Sequence, residues 1–433
     1  MFEDIKNKLE KDNNCNLSVD ELKILYKVDI SDYDTYQYME ISKYINDRNI
    51  YDDLVKVFGK KYVARTPNEL NMDTICFVGS LTIKEIIPTY NLRYIYGDLY
   101  HYLENALNLE NLELINGAGM FLNLKRTNGL ENLEIIKGET YFANIESAEG
   151  LNSLKITGLA NFEKLRNSKG LENLEIINGN ANFKLLQNAK GLISLRKIYR
   201  NANFTVLKSS KGLEKLEYIG GEAVFRYLEN AEGLCNLKDI KSTAFFESLK
   251  DSKGLESLKS IGGSCFLYSL TNFNNFKSLE YIGGFLSIDC KDNSILYFLN
   301  KVYGITVDNV EKIAFNSFDL NDNTEILITN LNVFSSFQFN SNLKYIIGDL
   351  TCGADKLTEP KEIIKVFGSA KFKNLKSAEG LENLEYIGKN AIFSSLESLE
   401  GLDNLKYIGQ SQQFGNDELT LEEFKNSIKI KKI

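Results

Sequence analysis

Tryptophan is absent from this chain of 433 residues, proline occurs three times and histidine once. A single histidine leaves a histidine-dependent triad or a histidine metal site without its partners. Six cysteines, at positions 15, 76, 235, 265, 290 and 352, show no C-x-x-C spacing and read as reduced thiols. No run of 18 uncharged apolar residues occurs, so no transmembrane helix is expected. The opening MFEDIKNKLEKDNN carries charges where a secretory signal needs an apolar core, and a cytoplasmic protein is the expectation. There is no nucleophile elbow, H-E-x-x-H or Walker loop, so neither catalysis nor a cofactor is expected. The stretch from Asp319 to Glu325 begins like a calcium loop, but Thr324 stands where that loop needs glycine and Asn330 where it needs glutamate. Net charge is only −8, from 59 acidic against 51 basic residues. That balance argues against nucleic acid as a partner and is weak for an acidic mimic of it. Abundant Asn, Lys, Ile, Phe and Tyr suit an AT-rich genome, such as that of a bacterium or its phage.

What the chain does have is a repeat. From Gly170 to Leu255 one unit of 21 residues recurs, with Gly-Leu pairs at Gly170, Gly191, Gly212, Gly233 and Gly254. A fixed period in this range marks a solenoid, in which each unit buries its apolar side against its neighbours. In one unit the apolar positions are Leu171, Leu174, Ile177, Ala181, Phe183, Leu186 and Ala189. The step of two between Ala181 and Phe183 is strand alternation, with both side chains inward and Asn182 outward. Gly179 precedes it, where a corner needs a residue without a side chain. Steps of three elsewhere suit tight arcs. The pattern predicts one short parallel strand per coil, with an internal ladder through Phe121, Phe142, Phe162, Phe183, Phe204, Phe225 and Phe246. Small residues beside the rings, such as Ala160, Ala181 and Ala202, leave room for them.

The L-x-x-L-x-x-I-x-G-x-A-x-F wording of Leu213, Leu216, Ile219, Gly221, Ala223 and Phe225 resembles leucine-rich repeats. The I-x-G-x-L-x-I segments are similar to the receptor L domains, right-handed β-helix-like ligand-binding modules of growth-factor receptors. Residues 147–151 and 377–381 both spell SAEGL, which resembles bacterial proteins carrying such repeats behind a short helical head. The resemblance covers about 77–290 and 342–414. The chain lacks the asparagine that ordinary leucine-rich repeats carry after the strand, and it lacks disulfide modules. The resemblance implies a recognition scaffold and supplies no catalytic residues.

The expected fold is therefore mainly β: a right-handed, leucine-rich-repeat-like β-solenoid with a single strand per coil and helical caps at both ends. Residues 1–65 form the N-terminal helical cap, 66–290 the first repeat array and 291–341 an irregular insertion or degenerate coils. Residues 342–414 form the second array and 415–433 a C-terminal capping helix. Ser18 and Glu21 make a capping box before Leu22 and Leu25, and the helical stretch Tyr51 to Phe58 stops at Gly59. A cap would hide the bare solenoid end; the other reading of 1–65 is a separate effector module that the repeats target. His101 occupies a phenylalanine position in a degenerate coil, so a half-buried, inward-pointing histidine is expected.

The outward strand positions are the candidate site. Between Ala and Phe of successive coils stand Met120, Tyr141, Asn161, Asn182, Asn203, Val224, Phe245 and Phe266, and a second column two residues on includes Leu122 and Tyr268. Met120 and Tyr141 make one apolar end, Asn161, Asn182 and Asn203 an asparagine centre, and Phe245, Phe266 and Tyr268 a second apolar end. Clustered exposed aromatics point to another protein as partner. The alternative is that 291–340 folds back over Phe245 and Phe266.

Overall fold

Each unit of about 21 residues closes one coil of a parallel β-solenoid. The computed structural model describes residues 2–28, 35–272, 275–283, 286–288, 313–315, 326–327, 331–333, 344–346, 348–357, 362–398, 400–414 and 422–423. The chain divides into two compact units, Met1–Ile240 and Lys241–Ile433.

In the first unit every clean coil carries two strands, which corrects the expectation of one. The Ala-x-Phe segments pair in parallel and in register, Ala160–Asn161 with Ala181–Asn182 and then Ala202–Asn203. The preceding isoleucine segments form another parallel sheet through Ile135–Ile136, Ile156–Thr157, Ile176–Ile177 and Lys197–Ile198. A strand of two residues is too short to display alternation, so the step from Ile177 to Ala181 reads in the sequence as a plain corner. The isoleucine strands are called the first sheet below and the alanine strands the second.

Between the sheets the phenylalanines stack as the register dictates. Ring centroids of Phe121, Phe142, Phe162, Phe183, Phe204 and Phe225 follow one another at 4.6 to 5.4 Å, nearly parallel. That is close to the strand spacing of about 4.8 Å, so each ring packs on its own copy one coil away. Every ring is fully buried, and each contributes roughly 1.5–3 kcal/mol of apolar transfer. The 20-residue unit between Phe142 and Phe162 puts Thr140 and Thr157 face to face in the core, where their hydroxyls hydrogen-bond each other. The shortened coil thus leaves no lone polar group.

The corner that carries the Gly-Leu pair alternates between two forms. Ser168 and Ser210 are buried, and their hydroxyls accept from the N–H of Gly191 and Gly233 at 2.8 and 2.9 Å while donating to the carbonyls of Asn188 and Asn230. Gly170 and Gly212, two residues after these serines, sit at φ +96° and +105°. Their N–H groups are taken by the carboxylates of Glu172 and Glu214 at 2.9–3.1 Å. In the intervening coils Ala189 and Ala231 replace serine, and the corner is a 3₁₀ turn at Lys190–Leu192 and Glu232–Leu234. The sequence period is one coil; the structural period is two. At Gly170 a Cβ would lie 1.9 Å from the carbonyl oxygen of Ala148, so coil stacking itself requires glycine there.

The N-terminal helices, α1 (Phe2–Lys11), α2 (Val19–Leu25), α3 (Thr35–Ser42) and α4 (Ile50–Phe58), pack against the outer face of the first sheet. Ser18 makes the expected capping box with Glu21. Ile5, Leu9, Leu22, Leu25, Tyr38, Ile41, Ile45 and Leu54 share one apolar cluster with Cys76, Tyr94, Leu114, Ile135 and Ile156. These five are the outward residues of successive first-sheet strands, and all are buried. In later coils the same register carries Lys197, Tyr218 and Asp239, which are half-exposed. The strand Val63–Ala64 pairs with Cys76–Val78, so the head also closes this edge of the first sheet.

In the second unit, Cys265–Leu267 pairs with Leu286–Ile288 and then Ile313–Phe315, all parallel. Two further parallel sheets run from Ile326–Leu327 to Tyr407–Ile408 and from Leu331–Val333 to Gln412–Phe414. Phe372, Phe393 and Phe414 stack at 4.9 and 5.4 Å. Cys265 and Cys352 fill core positions. The capping helix expected over 415–433 lies outside the described residues, apart from Glu422 and Glu423.

Candidate functional site

The outer face of the second sheet in the first unit is a column in strict register. Thr82, Tyr100, Met120, Tyr141, Asn161, Asn182, Asn203 and Val224 stand side by side on adjacent strands. Met120, Tyr141 and the three asparagines are half-exposed, as outward positions should be. Tyr100 and Tyr102 extend the apolar end beyond Met120, and with Leu122 they make a continuous patch. The signal for these two tyrosines was His101: a residue at the phenylalanine position turns both its neighbours outward. Lys84 Nζ lies 5.6 Å from the Tyr102 ring centre, and the Tyr100 hydroxyl donates to Asp98 at 3.3 Å.

The asparagine centre is chemically occupied. Asn161, Asn182 and Asn203 each accept, through Oδ1, the N–H two residues on, at 3.3, 3.3 and 3.1 Å. Asn182 also donates to Asn161 at 3.2 Å, and Thr205 Oγ1 donates to Asn203 at 2.6 Å. These carboxamides end the strand and start the next arc. In the second unit Phe245 and Phe266 stack at 5.0 Å and 4°, and Tyr268 stands edge-on to Phe266 at 5.9 Å. All three are half-exposed. The segment 291–340, apart from its short strands, lies outside the described residues.

Titratable groups elsewhere are built into packing. His101 is fully buried against Phe121 and neither ring nitrogen has a hydrogen-bond partner, so burial lowers its pKa to about 4. It is a neutral rung of the ladder. Beneath the head, Lys27 pairs with Glu134, which Lys155 also approaches at 3.4 Å. Burial lowers the Lys27 pKa against the pull of Glu134. Lys137 donates to the carbonyl of Ser42 at 2.5 Å, and burial brings its pKa down to about 8. Burial pushes the Cys265 thiol up, out of the range of a reactive thiolate.

A surface groove of about 490 Å³ lies beside the head, lined by Glu175, Ser194, Arg196, Lys215, Glu217 and Asn236. Its origin is local. Asn132, Asn173 and Asn236 each donate at 2.7 Å to a carbonyl of the preceding coil, and Ser194 and Lys215 interrupt that ladder. Glu217 pairs with Arg196 at 3.3 Å and Lys238 at 3.5 Å. Among the described residues, no group of three or more His, Cys, Asp or Glu is placed to hold a metal ion, and no helix is long and apolar enough to cross a membrane.

Compared with models of known protein families the chain matches none, and a comparison with curated proteins gives no match either.

Proposed function

We propose that this protein is a non-catalytic interaction scaffold, leucine-rich-repeat-like in kind, that holds another protein on the outer face of its second sheet. The reading takes it as a cytoplasmic bacterial protein needing neither metal nor cofactor. The observation that carries it is the patch Tyr100, Tyr102, Met120, Leu122 and Tyr141, five large side chains in adjacent registers of one sheet. Tyrosine and methionine are enriched where protein interfaces bury their centres. Phe245, Phe266 and Tyr268 offer a second aromatic cluster of the same kind.

A helical head that acts alone while the repeats target it is less well supported, because the head's apolar residues are spent on the first sheet. Acidic mimicry of nucleic acid is weakened too, because Glu172 and Glu214 are engaged with glycine N–H groups and Glu217 with cations. The test is co-purification of the full chain from its host beside a Met120→Ala/Tyr141→Ala variant. Loss of a stoichiometric protein partner at unchanged melting temperature supports the proposal; retention of every partner contradicts it.

A further inference from the structure

We propose that the occupant of the Tyr100–Met120–Tyr141 face is an amphipathic helix of the partner, at least two turns long and running along the stacking axis. The inference rests on the reading of the second sheet as the binding face and adds what fits it.

The molecule supplies its own example on the opposite sheet of the same coils. Helix α3 and the 3₁₀ turn Ile45–Asp47 after it step backwards through the stack. The Tyr36 ring lies 4.9 Å from Lys197 Nζ and 5.7 Å from the Arg196 guanidinium carbon. Ser42 offers its carbonyl to Lys137, and Asn46 accepts from Asn116 at 3.1 Å. From the strand of Lys197 to that of Leu114 is four coil steps, about 19 Å of stacking. Helix α3 itself carries the chain from Tyr36 to Ser42, about 9 Å of rise, and the turn after it carries the chain on to Asn46. Tyr38, Ile41 and Ile45, at helical spacings of three and four, are buried in the cluster that contains Leu114 and Ile135.

The fit is one of pitch. A helical turn rises about 5.4 Å and coils repeat every 4.8 Å or so, so residues i, i+4 and i+7 meet three successive coils. On the second sheet Tyr100, Met120 and Tyr141 occupy three successive coils in one column, with Tyr102 and Leu122 beside them in the next. An extended strand laid along the same axis rises about 6.6–6.8 Å per same-side residue and falls out of step by the third coil. The strands that carry the patch also come soon after residues that the head engages. Asn116 and Lys137, which the head engages, are followed directly by Gly117 and Gly138, and then by the second-sheet strands of Met120 and Tyr141. A helix seated there would continue the helical layer around the corner.

The probe is a fluorescent 14-residue peptide with leucine at helical spacing and Lys, Glu and Gln elsewhere, locked by a hydrocarbon staple. Its controls are an isomer with leucine at every second position and a version broken by proline. Anisotropy is read on the full chain, on Met120→Ala and on Tyr141→Ala, with melting temperature recorded for each. The stapled helix should bind at least about tenfold more tightly than either control, and Met120→Ala alone should remove most of that preference without lowering the melting temperature. If the alternating isomer binds best and still depends on Met120, the face binds strands; the helix inference falls and the binding-face reading stands. If no peptide depends on Met120 or Tyr141, both fall.

Discussion

Inward and outward are decided one residue at a time in this chain. Phe183 is buried between Phe162 and Phe204, while its neighbour Asn182 faces out and caps the following turn. Phe183→Asp places an unpaired charge in the ladder and should cost several kcal/mol by chemical denaturation. Asn182→Asp keeps the accepting oxygen and should change stability by less than about 1 kcal/mol. Equal losses would contradict the register. His101 gives a second prediction. Its pKa falls from 6.5 in the open chain to about 4 in the fold. Stability it shares in is therefore present above about pH 6.5 and is lost as pH falls through 4. His101→Phe should raise the melting temperature at pH 5 more than at pH 8. The same gain at both values would show that the ring is not held neutral.

At the scale of the coil, the alternation of serine and alanine corners makes an asymmetric prediction. Ser210→Ala strips the buried Gly233 N–H of its acceptor and the Asn230 carbonyl of a donor. A loss of about 1–3 kcal/mol is expected in denaturant unfolding. Ala189→Gly in the neighbouring coil removes only a methyl group and should cost less; the reverse order would contradict the two-coil period. Much of this coil was legible in the sequence. The ladder followed from Phe recurring once per unit. The second strand was not legible, because Ile176–Ile177 is too short to show a period. Nor was the two-coil period read, although the wording alternates: Glu172, Ile193, Glu214 and Cys235 follow successive Gly-Leu pairs. In the candidate site, Met120 and Tyr141 were visible from alternation. The asparagines were visible as outward residues but not as turn caps, since the carboxamide hydrogen bonds depend on the local backbone.

For the first unit as a whole, the decisive feature is where the head sits. An apolar outward column from Cys76 to Ile156 needs a cover, and the head's four helices provide it. The sequence contained that information as isoleucine doublets such as Ile135-Ile136, which give way to Lys197-Ile198 and Tyr218-Ile219. The doublet could not be interpreted without the first sheet. Ile135→Asp should consequently destabilise the protein by several kcal/mol, whereas Tyr218→Asp, in the same register two strands beyond Ile176, should be nearly silent in thermal melts. With the head closed over the first sheet in these coils, the second sheet is the face proposed for a partner.

That claim is tested most directly by photocrosslinking in the native host, with a photoreactive amino acid placed singly at Met120, Tyr141 or Lys215. Positions 120 and 141 should trap the same protein partner, and position 215, in the charged groove beside the head, should trap none. A partner captured through position 215 and missed by 120 and 141 would put the binding surface on the other side of the coil and contradict the proposed function.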